Sequence, residues 1–304
     1  MSAAPVLAYD VGGTHLRSVL VDAEGRIAGR RVRPTPRGSC EALVDALAEE
    51  GRAQLAAARA GGEAPRIAGL AIAGFTDTER GLIHLAPNLG LRDADVGPRL
   101  RAALGLPVRL VNDVNAAAVA EARAFGVRDL VAIFVGTGVG GGFVCGGALL
   151  EGRHGMAAEI GHASFRPGVG LRCGAGHDGC FEAFLGGACL GQRALAAGLP
   201  DDAGALWVAA RGGHAAARAI TGDAEHAMGA LCRLLVTLLD PEVISVAGGL
   251  GSRVPEILQA AQAACDPHPL APEIAAVRVV RAATGDDAGM LGAAWLARAA
   301  EGNG

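Results

Sequence analysis

VGTGVGGGFVCGGALLEG, residues 135–152, decides the fold, because the element after its glycines separates two nucleotide-binding architectures. Gly136, Gly138 and Gly141 satisfy the G-x-G-x-x-G spacing after an apolar run, DLVAIFV. A dinucleotide-binding fold requires a helix at that point, since the pyrophosphate rests on a helix N-terminus. Here FVCGGALLEG alternates and ends in a turn, the pattern of a second strand. The stretch therefore predicts strand, glycine turn, strand, with Thr137 and Gly138 as phosphate donors. A nicotinamide dehydrogenase is excluded on that context.

The same arrangement opens the chain. VLAYDVGGTHLRSVLVDAEGRI (6–27) reads as a hairpin of strands around Gly12-Gly13, with a second turn at Glu24-Gly25. Gly12 and Gly13 remove side-chain bulk, so backbone N–H groups can approach phosphate oxygens. Thr14 adds a hydroxyl, and Asp10, at the strand end, suits a Mg²⁺ ion held through water. An ordinary Gly-Gly hairpin would look the same. The echo of 6–21 in 130–145 suggests a duplicated two-domain fold with a nucleotide between the halves.

The rest of the chain alternates helices with strands. Residues 41–60 form an Ala-rich amphipathic helix, IAGLAIAGF (67–75) and VRLVND (108–113) are buried strands, and NAAAVAEARAFG continues as a helix ending at Gly126. Residues 190–239 are helical, PEVISVAGGLG (241–251) is a strand running into a glycine turn, and DDAGMLGAAWLARAA is a last helix. The expected class is α/β, with sheets covered by helices. A smaller domain is expected over 1–112, completed by the C-terminal helix at about 286–304, and a larger one over 113–285.

Bulk properties narrow the function. The chain has 304 residues, of which 51% are hydrophobic and 19% charged, so it is globular. A formal charge of −4 and 3% aromatics leave no footprint for nucleic acid. No apolar run is long enough for a bilayer, and MSAAPVLAYD lacks the pattern of a signal peptide. The seven cysteines, an odd number without a framework spacing, point to reduced thiols and a cytoplasmic setting. All 27 basic residues are arginine. That excludes P-loop, protein-kinase and Schiff-base chemistry, each of which needs a lysine amine.

Three further motifs carry polar groups. NDVNAAA (112–118) sets Asn112 and Asp113 where a strand hands over to a helix. Capping explains one of the two; Asp113, facing a cleft, suits a general base. EIGH (159–162) offers a carboxylate and an imidazole on a glycine-rich loop, suited to a polyhydroxyl ligand or simply to solvent. CGAGHDGC (173–180) resembles half of a zinc-binding turn.

Taken in order, DVGGT, PNLG (87–90), NDVNAAA, GTGVGGG, EIGH, GxxGCxE (176–182) and LDPEVISVAGG resemble the ROK family of sugar kinases and sugar-responsive repressors, from about residue 6 to 297. The resemblance implies an actin-like, sugar-kinase/Hsp70-type fold with ATP and a sugar in the cleft between two α/β domains. It implies Asp113 as catalytic base. Asn88, Asn112, Glu159, His162 and Glu182 become sugar ligands. Asp10, Gly12, Gly13, Thr14, Thr137 and Gly138 become the phosphate turns, with Gly248 and Gly249 on the adenosine side. The family's zinc loop reads C-x-C-G-x-x-G-C-x-E, with the EIGH histidine as fourth ligand. Here Cys173 and Cys180 match, but Ala175 stands at the middle cysteine. A structural zinc wants four protein ligands, so either His177 joins His162, Cys173 and Cys180 or the site is weakened or empty.

The implied reaction is ATP-dependent phosphorylation of a hexose, glucose first, with N-acetylglucosamine, N-acetylmannosamine and fructose as alternatives. A homodimer is expected. A ROK repressor would need a DNA-binding module ahead of Asp10, and nine residues give no room for one. A silent sugar sensor is disfavoured by the presence of Asp10, Asp113 and Thr137.

Overall fold

A computed structural model describes residues 4–301, and the chain forms two compact units. One holds the chain up to Ala120, Glu151–Ala157 and the chain from Asp286; the other holds Glu121–Leu150 and Ala158–Gly285.

The first unit contains β1 (Val6–Val11), β2 (His15–Val21), β3 (Ile27–Pro34), α1 (Cys40–Ala60), β4 (Ala68–Ile72), β5 (Phe75–Asp77), β6 (Leu82–Ala86), β7 (Leu91–Ala94), α2 (Val96–Leu104) and β8 (Val108–Asn112). Its main sheet runs β3-β2-β1-β4-β8, with β1 antiparallel to β2 and parallel to β4. The side chains of β1 alternate between two cores. Leu7, Tyr9 and Val11 pack with Leu43 and Leu47 of α1, while Val6 and Ala8 pack with Met290 and Ala294 near the C-terminus. Burial on both faces explains why the strand reads as one apolar run. Ser39 starts α1 by accepting from Ala42 N at 3.1 Å. A small sheet, β5-β6-β7, completes the unit.

Helix α3 (Asp113–Phe125) leads into the second unit, with β9 (Leu130–Val135), β10 (Val139–Cys145), β11 (Ala148–Leu149), α4 (Phe181–Leu185), α5 (Gly187–Ala196), α6 (Ala203–Arg211), α7 (Ala215–Leu239), β12 (Val243–Ala247), α8 (Gly248–Arg253), α9 (Pro255–Cys265) and β13 (Arg278–Arg281). Its sheet runs β11-β10-β9-β12-β13, again a hairpin edge followed by parallel strands. The two sheets share one topology, which is the duplication that the glycine motifs announce. The segment after Val139 is a strand paired with β9, as the alternation of FVCGG requires. The last helix, α10 (Ala288–Glu301), returns to the first unit.

The division between the units falls inside α3, after Ala120, instead of at residue 113. The first turns of α3 pack tightly with α10: a Cβ on Gly292 would collide with the Ala116 carbonyl. Asp113 therefore belongs to the first unit. Among the described residues all seven cysteines are free, and no helix is long and apolar enough to cross a membrane.

Glu121, 1% exposed, is the main buried polar junction of the second unit. Its carboxylate accepts from Ser245 Oγ on β12 at 3.1 Å, from Ala283 N and Thr284 N at 2.8 Å each, and from the Thr284 hydroxyl. It closes the backbone beyond β13, where no strand partner supplies acceptors. A buried donor left unpaired costs about 1–3 kcal/mol. Glu121→Ala is therefore expected to lower unfolding stability by at least about 3 kcal/mol in denaturant titration, as several donors lose their acceptor. A change within about 0.5 kcal/mol, the usual size for a surface substitution, would contradict the junction.

Candidate active site

In the first unit, β1 delivers Asp10 to the turn Gly12-Gly13-Thr14. Thr35 brackets that turn, its hydroxyl donating to Gly12 O at 2.8 Å and its amide to Thr14 O at 3.0 Å. A Cβ on Gly12 would meet the His15 carbonyl at an ordinary 3.9 Å, whereas a Cβ on Gly13 would press on Asn88 at 3.2 Å. The PNLG turn is thus seated on the Gly12-Gly13-Thr14 turn, and Asn88 is brought beside Gly13. Asp10 is paired with Arg17 at 2.9 Å. Burial nevertheless raises its carboxyl pKa, and the negative charges of Asp286 and Asp287 push the same way against Arg17. A cluster of hard oxygen ligands with this mutual repulsion suits a hydrated Mg²⁺.

Strand β8 and α3 meet at Asn112-Asp113, and the structure divides the work between them. Asn112 Oδ1 accepts from Asn115 N at 3.0 Å, which makes it the helix cap, and its amide donates to Gly74 O at 2.9 Å. One amide hydrogen of Asn112 remains for a ligand. Asp113 Oδ1 accepts from Val114 N at 3.0 Å, and the carboxylate is also near its own backbone N–H. Burial first, and the charge of Asp10 second, push its carboxyl up to about 6. At pH 7 such a group is still about nine-tenths ionised, and it is a base roughly a hundredfold stronger than an ordinary aspartate.

In the second unit, the β9–β10 turn is approached from several sides. A Cβ on Gly141 would stand 2.7 Å from Ile160, and one on Gly161 would strike the Val139 carbonyl, so the EIGH loop lies directly on β10. Glu182 Oε2 accepts from Val139 N at 2.9 Å, which ties the GCFE segment to Gly138 and the β9–β10 turn. The first amides of α5, Gly187 N and Ala188 N, donate to Gly136 O and Thr137 O at 2.8 and 3.0 Å. Gly248, at φ 84°, packs on the backbone of Val135. A cavity of about 440 Å³ opens among these parts, lined by Gly136, Thr137, Asp201, Asp202, Gly249 and Arg253 together with small residues.

The cysteine loop folds back through Gly176 N to Cys173 O at 2.9 Å and Cys173 N to His177 O at 3.1 Å. His162, Cys173 and His177 bring their ligand atoms within 4.8 Å of one another. Cys173 Sγ lies 3.8 Å from His162 Nδ1 and 3.6 Å from His177 Nδ1. A tetrahedral zinc with bonds of about 2.3 Å to sulfur and 2.0 Å to nitrogen separates sulfur from nitrogen by about 3.6 Å, which the two separations from Cys173 Sγ match. The Cys180 thiol neighbours that of Cys173 and faces the His177 carbonyl at 4.0 Å, outside this trio.

A sequence profile described as the ROK family matches residues 6–300. The chain belongs to the ROK family. The crystal structure of a ROK hexokinase from Thermus thermophilus has a TM-score of 0.86 at 33% identity, covering 99% of this chain and all of that one. A ROK family glucokinase from Streptomyces griseus, in complex with glucose and AMPPNP, has a TM-score of 0.73 at 32% identity, with 97% and 99% covered. An N-acetylmannosamine kinase of Salmonella typhi is 36% identical over 302 residues, with 96% and 98% covered. The ROK chain thus has the actin-like ATPase fold and is a phosphotransferase of the sugar-kinase type.

Residues that the motifs did not reveal are Glu121, whose partners lie more than 120 residues away, Arg17, which pairs with Asp10, and Arg253, which folds onto Gly249. The raised pKa of Asp113 is directly measurable. Carboxyl-carbon NMR is expected to give a midpoint near pH 6, and Asp10→Asn is expected to lower it by removing one of the two upward influences. A midpoint at the ordinary value, insensitive to Asp10, would contradict the electrostatics described.

Proposed function

We propose that this ROK protein transfers the γ-phosphoryl group of ATP to a hexose hydroxyl, with glucose giving glucose 6-phosphate, and that Asp113 is the general base. The observation carrying the reading is Asp113 itself. It is a carboxylate at the junction of a sheet strand and a helix, with one oxygen held by Val114 and a proton affinity raised by burial. The sugar oxygen attacks phosphorus as the bond to the β,γ-bridging oxygen breaks. The hydroxyl proton passes to the Asp113 oxygen that Val114 does not hold, and ADP leaves. In a loose transition state positioning supplies most of the acceleration, and the proton moves late.

Asn88, Asn112, Glu159, His162 and Glu182 would bind sugar hydroxyls. Asp10, Gly12, Gly13, Thr14, Thr137, Gly138, Gly248 and Gly249 would hold the nucleotide. Mg²⁺, held through water near Asp10, would neutralise phosphate oxygens. Zn²⁺ would be structural, held by His162, Cys173, His177 and Cys180, with His177 in place of the missing cysteine at 175. Its fit rests on the 3.6 and 3.8 Å separations. With Nδ1 turned to the metal, the other ring nitrogen of His162 is left for a sugar hydroxyl.

Glucose is favoured by the hexokinase and the glucose-bound glucokinase among the relatives. The N-acetylmannosamine kinase keeps a 2-acetamido hexose as the second reading. A cytoplasmic homodimer completes the proposal. With Mg-ATP and a panel of hexoses, ADP release is expected to be fastest with glucose. The same protein, purified without chelator, is expected to carry about one zinc per chain, the stoichiometry of a single four-ligand site. Turnover with no hexose would sink the kinase reading, and a zinc content near zero the metal assignment.

A further inference from the structure

The chain must meet a phosphate chain without any lysine. In the second-unit cavity, Arg253 is the one cation among the described lining residues. It ends α8, and its Nε donates to Gly249 O at 2.8 Å, one turn back. That hydrogen bond folds the side chain over the glycine turn, where Nη2 would stand 3.1 Å from a Cβ on Gly249. Gly249 therefore leaves space for the guanidinium. Among the described residues no carboxylate pairs with Arg253, so its two Nη groups keep their donors for a ligand.

Two acids share the cavity. Asp202 Oδ1 is held by Ala205 N at 2.6 Å, as cap of α6, and the Asp201 carboxylate packs against Gly191, where any Cβ would collide with it. Carboxylates accept from ribose hydroxyls and repel an unbroken row of phosphates. A planar guanidinium beside glycine turns does the opposite, pairing with phosphate oxygens through two parallel hydrogen bonds.

We propose that Arg253 anchors the phosphate chain of the phosphoryl donor, and that Asp201 and Asp202 restrict that donor to a nucleotide in preference to inorganic polyphosphate. The assignment rests on the kinase reading for its role in catalysis, but nucleotide binding tests it separately. Arg253 works as the phosphate anchor on the donor side and leaves the sugar side untouched.

Calorimetry on the whole chain with Mg²⁺ and no hexose would compare ATP, ADP, adenosine and polyphosphate. Arg253→Ala is expected to weaken ATP and ADP at least tenfold while adenosine changes less than twofold, and Arg253→Lys to recover part of the loss. In steady-state assays the KM for ATP should rise while the KM for sugar holds. Unchanged ATP and ADP affinity, or an equal loss for adenosine, would overturn the phosphate role. Polyphosphate bound by the wild type as tightly as ATP would overturn the nucleotide restriction. A wild type that binds ATP yet phosphorylates no sugar would remove the kinase reading alone, leaving the binding comparison of Arg253 intact.

Discussion

The turn between β9 and β10 can be approached closely because glycines fill it and the start of β10, and glycines on the covering segments meet it in turn. Gly141 receives Ile160, Gly161 receives the Val139 carbonyl, Gly138 receives the Glu182 carboxylate, and Gly248 lies on Val135. Each is a contact that a single Cβ would break, since buried packing leaves no slack of that size. The glycine run is therefore less a flexible loop than a surface built to be covered. Its coverings are the EIGH loop, the GCFE segment and the turn at Gly248, so the groups proposed to bind sugar and those proposed to bind nucleotide share one foundation.

Electrostatics follow from the absence of lysine. Asp10 is steadied by Arg17, yet burial and two neighbouring carboxylates still raise its proton affinity. Asp113 inherits part of that negative field, which makes it a stronger base than an exposed aspartate while leaving it ionised at neutral pH. An ammonium group beside Asp113 would lower its proton affinity, and the chain has no lysine to supply one.

Much of this was legible in sequence because glycine and strand alternation have direct geometric meaning. The two hairpins, the strand after Val139 and the helix of NAAAVAEARAF all follow from period and turn residues, although that helix starts at Asp113, two residues earlier than its apolar pattern. The NDVN motif left open which residue caps the helix, and hydrogen bonding answers that Asn112 does. The small sheet β5-β6-β7 was not legible, since strands of three to five residues show too little alternation. Glu121 looked like any charge on a helix, because its partners lie more than 120 residues away. The division inside α3 was equally hidden, being set by packing with α10 and not by composition.

The central claim is that Asp113 takes the proton of the sugar hydroxyl. Single-turnover transfer from labelled ATP to glucose, measured beside glucose affinity by calorimetry, tests it most directly in Asp113→Ala. The account predicts transfer lowered by at least about a hundredfold, the lower range for loss of a general base, with glucose affinity retained. Transfer at the wild-type rate in that variant would contradict it.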